Sequence, residues 1–205
     1  MPETAPADLR VVEESPDSLE SYAAISIAFT VTSLFRVELV ESGLAGITIR
    51  EEPVMPPYVK DYDAIEEERP LRWRRWDLTN WGFLAAYDGS LRVGGAVVAW
   101  KTNHVNMLEG RPDLAVLWDI RVAPDARGTG VGSALFRHTE QWARNRKCRT
   151  LKIETQNVNV PACRFYARHG CHLGAVSLHA YAELPDEVEM LWYKDLAYSD
   201  PSSVR

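Results

Sequence analysis

The chain has 205 residues, of which 46% are hydrophobic and 25% are charged, and its formal net charge is −6. This is the composition of a globular protein, and it excludes intrinsic disorder as the main state. The acidic balance argues against general nucleic-acid binding, which depends on Lys and Arg contacts with phosphates, whereas it suits a cationic partner.

The first part of the chain is rich in β-forming residues. Residues 25–39 contain many β-branched and aromatic side chains, and residues 46–52 form a second such stretch after a turn at Gly43. This pattern predicts a β-hairpin. Three prolines follow it and predict a break in regular structure: Pro53, Pro56 and Pro57.

An acidic cluster is followed by a cluster of Arg and Trp within residues 58–76. Arginine and tryptophan together are one pattern of nucleic-acid binding. Because this cluster is short and follows several carboxylates, we interpret it differently: Trp73 and Trp76 pack inward, and the arginines pair with the acidic side chains. We expect a short helix and a loop in this segment.

Strands and helices become clearer from Trp81 onwards. The predicted elements are two strands joined at Asp88-Gly89, a strand at 114–122, a helix at 131–146, a strand at 150–155, a helix at 160–169 closed by Gly170, and final strands at 173–182 and 188–193. Strands before and after two helices predict a single α+β domain with a mixed sheet.

The glycine-rich segment Arg127-Gly128-Thr129-Gly130-Val131-Gly132 lies between a predicted strand and a predicted helix. Glycines let successive backbone amides point toward one place, and a helix N-terminus adds N–H donors and about half a unit of positive charge. The segment therefore predicts a pyrophosphate site with Arg127 as a charged contact. Two alternatives stay open: a merely tight turn, and a site for another nucleotide, although the P-loop lysine is missing.

The cysteines and the apolar runs indicate the environment of the protein. The three cysteines lack the spacing of a zinc site, so we expect reduced thiols and no metal. No apolar run approaches the roughly 18 residues of a membrane span, and residues 1–8 lack the pattern of a secretory signal. We expect a cytoplasmic protein that binds neither membrane nor nucleic acid.

Three parts of the sequence resemble the GCN5-related N-acetyltransferase (GNAT) superfamily. The turn at 127–132 resembles its R/Q-x-x-G-x-G/A signature, and residues 118–124 resemble the strand that precedes this signature. A further set of residues resembles the pattern N-x-x-A-x-x-x-Y-x-x-x-G-F, with Cys171 in the place of Phe: Asn159, Ala162, Tyr166 and Gly170. Within the superfamily, residues 154–163 and 191–193 are most similar to streptothricin acetyltransferases.

The resemblance implies a fold, a donor and a division of the chain. The fold is a central twisted mixed β-sheet flanked by helices, opened between the strands at 114–122 and 150–155 to admit acetyl-CoA. Residues 1–8 and 199–205 are expected to be flexible tails, residues 9–80 an acceptor-side segment of the same domain, and residues 81–198 the acetyl-CoA-binding core. The implied donor-binding residues are Ile120, Val122, Arg127, Gly128, Thr129, Gly130, Val131, Gly132, Ser133, Asn159, Ala162 and Tyr166.

Acetyl transfer to an amine requires an acid for the leaving thiolate and a base for the ammonium. The resemblance makes Tyr166 the acid. Strand alternation predicts that Asp119 shares a face with Leu117 and Arg121, opposite the face of Trp118, and this makes Asp119 a candidate base.

Glu154 is a second candidate base. It stands 12 residues before Tyr166, a spacing similar to that of bacterial N-terminal acetyltransferases for ribosomal proteins. A shared role stays open, in which one carboxylate holds the ammonium and the other relays its proton through water. Structural roles also stay open, in which Asp119 pairs with Arg121 or another basic residue, and Glu154 pairs with Lys152 or an amide.

The sequence therefore predicts an N-acetyltransferase that acts on a primary amine. No cysteine has a sequence-local arrangement of His or Asp that would activate it, so direct attack by the amine is preferred over an acetyl-cysteine intermediate. The expected acceptor is a small cationic amine of the streptothricin type. The alternatives are a protein N-terminus or lysine as acceptor, and a non-catalytic acyl-CoA sensor. The hydrophobic N-terminal β-like stretch is a candidate interface for a homodimer, and the sequence leaves the oligomeric state open.

Overall fold

The computed structural model describes residues 8–197, so the predicted tails lie outside the described residues apart from Asp8. Its helices are α1 (Leu19–Ala23), α2 (Val131–Asn145) and α3 (Val160–Arg168). Its strands are β1 (Leu9–Glu14), β2 (Phe29–Leu39), β3 (Ile47–Lys60), β4 (Trp81–Asp88), β5 (Leu91–Trp100), β6 (Leu114–Val122), β7 (Thr150–Gln156), β8 (His172–Ser177) and β9 (Glu189–Asp195). Within this described range, no helix is both long and apolar enough to cross a membrane.

The chain folds into two compact units. Of the described residues, the first unit comprises 8–27, Tyr62–Lys152 and 194–197, and the second comprises Ala28–Asp61 and Ile153–Tyr193. Because the units interleave along the sequence, elements that are far apart in the chain are brought together within each of them.

In the first unit the strands lie in the order β1, β4, β5, β6, and each neighbouring pair is antiparallel. Strands β4 and β5 are joined where Asp88-Gly89 predicts a hairpin, with Gly89 at φ 58°. The boundaries of β6 agree with the prediction. Strand β1 and helix α1 have no counterpart in the prediction, because six and five residues are too few to show a clear period.

A β-bulge in β6 corrects the predicted faces of this strand. Val97 of β5 pairs with Asp119, whereas its neighbour Val98 pairs with Leu117, so Trp118 is an additional residue. Since Val97 and Val98 face opposite sides of the sheet, Asp119 and Leu117 do so too. The prediction that Asp119 shares a face with Leu117 is therefore wrong, whereas Asp119 and Arg121 do share one.

The bulge places Trp118 in an aromatic cluster on the face of Val97. Its ring meets those of Trp73, Trp76 and Trp81 edge-on, at centroid distances of 6.4, 5.6 and 5.7 Å. Trp118 packs there against a core that includes Val97 and Leu114. The prediction that Trp118 and Asp119 lie on opposite faces of the sheet is thus also wrong, because the bulge leaves both residues on the same face.

The segment before β4 confirms the interpretation of its charges and aromatic residues. It forms short 3-10 turns, Trp73 is 3% exposed, and Trp76 is partly buried. The arginines pair with acidic side chains at the surface, and these pairs are Arg69–Glu66, Arg72–Glu66, Arg72–Glu67, Arg75–Glu67 and Arg74–Glu20. Such exposed pairs contribute little stability, so the buried tryptophans hold the segment.

Helix α2 packs against β4 and β5 where these strands carry glycine. A Cβ atom on Gly82 would lie 2.4 Å from the Trp142 indole, and one on Gly94 would lie 3.0 Å from Leu135. A side chain at either position would push the helix away from the sheet. The glycines therefore fix the distance of α2, and with it the position of the turn that begins the helix.

In the second unit the strands lie in the order β7, β9, β8, and β2 and β3 form a separate antiparallel hairpin. The hairpin is confirmed, and its second strand continues past the prolines to Lys60. The predicted break at the prolines is an interruption of the pairing between Pro53 and Tyr58, not the end of the strand. The pairing shifts between Val31 and Ser33, which pair with Tyr58 and Pro53. Prolines are tolerated at such an irregularity because few ladder hydrogen bonds are lost there.

Candidate active site

The glycine turn has the conformation that its sequence predicts. Gly128 and Gly130 have φ angles of 76° and 87°, a left-handed region that other residues adopt at a cost. Gly130 is the N-cap of α2, and the first helical bond runs from Ala134 N–H to its carbonyl. The amides of Val131 and Gly132 precede this bond and point out of the helix N-terminus, which is the arrangement that attracts a phosphate.

The Arg127 side chain braces this turn. Its Nε donates to the Val122 carbonyl at 3.0 Å, and its Nη2 donates to the Ser26 carbonyl at 3.1 Å. Thr129 Oγ1 donates to the Ala126 carbonyl at 2.7 Å. The guanidinium thus ties the turn to the end of β6 and keeps a positive charge beside it, in agreement with a site for an anion.

Asp119 belongs to a buried ionic cluster in the first unit. Arg121 donates through Nε to Asp119 at 2.8 Å, and through Nη1 and Nη2 to Asp63 at 2.6 and 3.0 Å. The Arg121 and Asp119 side chains are 2% and 8% exposed, against 24% for Asp63. The predicted structural pairing of Asp119 with Arg121 is confirmed, and Asp63 is a third member of the cluster.

Burial raises the pKa of Asp119 above its ordinary value, although Arg121 opposes this rise. The negative charge of Asp63 raises the Asp119 pKa further. The buried Tyr22 side chain lies beside the cluster, with the Arg121 Cζ 5.3 Å from its ring centroid. Burial and the charge of Asp119 hold the pKa of Tyr22 well above its ordinary value, so Tyr22 stays neutral.

Glu154 lies in the second unit, in a small polar cluster of its own. Tyr181 donates through its hydroxyl to Glu154 Oε1 at 2.6 Å. The Gln156 amide donates to the Tyr181 hydroxyl at 3.0 Å and to Glu154 Oε1 at 3.4 Å. Of the two predicted partners of Glu154, the structure therefore shows the amide, whereas Lys152 pairs with Glu109 instead. Burial and the charge of Glu154 raise the pKa of Tyr181 far above its ordinary value, so its hydroxyl stays protonated and can donate this hydrogen bond.

Helix α3 positions the two residues that the superfamily pattern singles out. The Asn159 side chain caps the helix by accepting from Ala162 N–H at 3.2 Å. Tyr166 is 4% exposed, and its ring meets that of Phe165 edge-on. At the other end, Gly170 has φ 74°, and Cys171 N–H bonds to the Tyr166 carbonyl, which closes the helix as predicted.

The three cysteines are buried thiols. Burial raises the pKa of Cys148 and of Cys163 to about 11. At neutral pH only about 1 in 10,000 of such thiols is ionised, and the thiolate is the nucleophilic form. Neither residue is therefore built as an acyl acceptor. Among the described residues, no group of His, Cys, Asp and Glu is arranged to hold a metal ion.

Sequence reasoning missed the partners that surround the two candidate bases. Tyr22 and Tyr181 carry no local signal, because the first lies in a five-residue helix and the second in the segment between β8 and β9. Asp63 is part of an acidic cluster that predicts only a general affinity for cations. No spacing in the sequence indicates that it meets Arg121, which lies 58 positions away.

The chain matches the model of the acetyltransferase (GNAT) family over residues 48–171, which is more than half of its length. It belongs to this family. The residues that match include the glycine turn, the bulged strand β6 and helix α3. The expectations of an α+β fold with a mixed sheet and flanking helices, and of an acetyltransferase, are confirmed.

Two curated relatives are streptothricin acetyltransferases. The enzyme from Streptomyces lavendulae is 29% identical over 88% of this chain and 90% of its own length. Streptothricin acetyltransferase A from Bacillus subtilis (strain 168) is 41% identical over 38% of this chain, and the match spans about half of that relative. The predicted similarity to this branch of the GNAT family is confirmed.

Two solved structures have the same fold over nearly their whole length. A nourseothricin acetyltransferase matches with a TM-score of 0.73 and 27% identity, covering 93% of this chain and 99% of its own. A putative streptothricin acetyltransferase from Bacillus anthracis str. Ames, in complex with acetyl coenzyme A, matches with a TM-score of 0.68 and 27% identity. It covers 91% of this chain and 97% of its own.

These comparisons bear on the class of the protein and on its donor, not on individual residues. GNAT acetyltransferases use acetyl-CoA, and the left-handed glycines and outward amides of the turn fit its pyrophosphate. The roles of the site residues, the division of the chain at residue 80, the candidate homodimer interface and the cytoplasmic location stay predictions.

The cap of α3 gives a first prediction. Asn159→Ala removes the acceptor of the Ala162 N–H and is expected to lower the free energy of unfolding by about 1 kcal/mol. Asn159→Asp keeps a capping oxygen and is expected to stay near the wild-type value. Urea unfolding followed by fluorescence measures both variants, and an equal loss in both would contradict the capping role.

Proposed function

We propose that this GNAT protein transfers the acetyl group of acetyl-CoA to a primary amine of a small cationic molecule of the streptothricin type. The observation that supports acetyl-CoA as the donor is the turn at the N-terminus of α2, where left-handed glycines precede the helix and Arg127 keeps a positive charge beside it. The near full-length similarity to acetyltransferases named for streptothricin and nourseothricin supports the acceptor half. The net charge of −6 suits a cationic acceptor.

The donor site is built mainly from backbone. In this proposal the amides from Gly128 to Ser133 and the Arg127 guanidinium hold the pyrophosphate of acetyl-CoA, and main-chain groups of Ile120 and Val122 contact its pantetheine arm. The family resemblance implies a contact with the same arm for Asn159 and Ala162. Acetyl-CoA supplies the thioester whose carbonyl carbon the amine attacks. Because the residues of the turn act through their backbone, the site depends on conformation more than on side-chain chemistry.

Asp119 is the proposed base. An amine with a pKa near 10.4 is almost entirely protonated at neutral pH, so it must lose a proton before it can attack. A carboxylate with a raised pKa accepts this proton more readily than an ordinary one. Burial raises the pKa of Asp119 in this way, and Arg121 fixes the orientation of its carboxylate.

Tyr166 is the proposed acid, and the attack is direct. The Tyr166 hydroxyl donates a proton to the sulfur as the carbon–sulfur bond breaks, which prevents release of a charged thiolate. An acetyl-cysteine intermediate would need an ionised thiol, and the raised pKa of Cys163 opposes this. Amine attack and thiol protonation thus take place without covalent participation of the protein.

A panel of amines tests the proposed function. Thiol release from acetyl-CoA is measured with streptothricin, a simple diamine, a peptide with an N-terminal alanine and a lysine peptide. We expect the highest kcat/KM for streptothricin, and blanks without amine correct for hydrolysis. A preference for the peptides would assign the protein to protein acetylation, and donor binding without thiol release for any amine would indicate a sensor.

The pH dependence of two variants separates the candidate bases. Asp119 must be ionised to accept a proton, so activity is expected to fall as the pH drops through its raised pKa. Asp119→Asn is expected to lower kcat/KM by about 100-fold or more and to abolish this acidic limb. Glu154→Gln is expected to keep the limb. The reverse result in the two pH–rate profiles would make Glu154 the base.

The acid assignment has its own test. Tyr166→Phe is expected to slow single-turnover acetylation by about 100-fold, because the thiolate then leaves without its proton donor. Acetyl-CoA affinity, measured by calorimetry, is expected to stay near that of the wild type. Tyr58→Phe, a change of the same kind at an exposed position, is the control. An unchanged single-turnover rate in folded Tyr166→Phe would refute the assignment.

A further inference from the structure

Two carboxylates from distant parts of the sequence share one guanidinium in the first unit. Asp63 lies in the 3-10 turn Tyr62–Ala64 and accepts with both oxygens from Arg121, whereas Asp119 accepts from Arg121 Nε. Arg121 Nη1 also donates to the Ile25 carbonyl at 3.3 Å. Two carboxylates and one guanidinium give this group a formal charge of −1, which burial disfavours.

The two carboxylates differ in their exposure and in their hydrogen bonds with Arg121. The Asp63 side chain is 24% exposed and accepts two hydrogen bonds from the guanidinium. The Asp119 side chain is only 8% exposed and has one such bond. Burial therefore disfavours the negative charge of Asp119, and this carboxylate has the weaker hold on the shared guanidinium.

The charged and titratable groups around Asp119 come from four elements. Arg121 lies on the same strand, Asp63 on the 3-10 turn, and Tyr22 on α1. Arg92 of β5 lies behind them, with its Cζ 5.8 Å from the Tyr22 ring centroid, and pairs with Glu14 at 2.9 Å. Tyr22 is neutral and Arg92 has its own carboxylate, so Asp63 and Arg121 dominate the electrostatics of Asp119.

We propose that Asp63 is a positioning residue that sets the proton affinity of Asp119 through their shared partner, Arg121. The inference rests on the proposed role of Asp119 as the base. In that step an N–H bond of the ammonium breaks, its electron pair stays on nitrogen, and an O–H bond forms on Asp119. Asp63 acts through its negative charge and its two hydrogen bonds with Arg121, and both make Asp119 a stronger base.

The test measures the titration of Asp119 directly. The protein is labelled at the side-chain carboxyl carbon of aspartate, and Asp119→Asn identifies the Asp119 signal in the NMR spectrum. Asp63→Asn removes the negative charge beside Asp119, so Asp119 no longer shares the Arg121 guanidinium with another carboxylate. Both effects favour the ionised form of Asp119. We expect the Asp119 midpoint to fall by about 1 pH unit. The acidic limb of kcat/KM is expected to move to lower pH with it.

Two control variants make the result specific. Asp63→Glu keeps the charge and is expected to keep the wild-type midpoint. Glu66→Gln removes a carboxylate from the same segment that pairs with Arg69 and Arg72 instead, and it is expected to have no effect. An unchanged Asp119 midpoint in folded Asp63→Asn would overturn the inference. The NMR titration needs no substrate, so it decides the role of Asp63 even if no amine in the panel is acetylated, a result that would refute the proposed function alone.

Discussion

One additional residue in β6, Trp118, decides which side chains face Tyr22. In a regular strand, Val116 and Asp119 would lie on opposite faces, because they are three positions apart. The bulge brings both to the face of Val97 and Ala99, their partners on β5. The same insertion thus completes an aromatic core around Trp118 and places a carboxylate at the end of that core, where burial changes its chemistry.

The raised pKa of Asp119 follows from two carboxylates that share one guanidinium. A single guanidinium beside a single buried carboxylate would hold its pKa low, as in most buried ion pairs. In this protein Arg121 also binds Asp63. Burial therefore raises the pKa of Asp119 by more than Arg121 lowers it. A structural ion pair thereby acquires the affinity for protons that a base requires, without loss of the contacts that hold the segment before β4 on the sheet.

The features of this protein that could be predicted from the sequence are those that depend on residues close together in the chain. The turn at Gly128 and Gly130, the start of α2 and the closure of α3 at Gly170 are local, since each follows from backbone conformation within a few positions. The bulge at Trp118 and the meeting of Asp63 with Arg121 are not local. They depend on the pairing of β5 with β6 and on chain packing, and no period or spacing within one segment encodes them.

This difference explains why the family could be predicted from the sequence and the setting of the candidate base could not. The donor turn acts through backbone amides within six consecutive residues, so its signature is continuous in the chain. The surroundings of Asp119 come from α1, a 3-10 turn and β6, each of which supplies one side chain. Under the proposed roles, a substitution at Tyr22 or Asp63 would change the proton affinity of Asp119, whereas the sequence of the donor turn would stay the same. The proposed mechanism therefore lets acetyl-CoA binding and activation of the acceptor amine change independently, because the two depend on separate sets of residues.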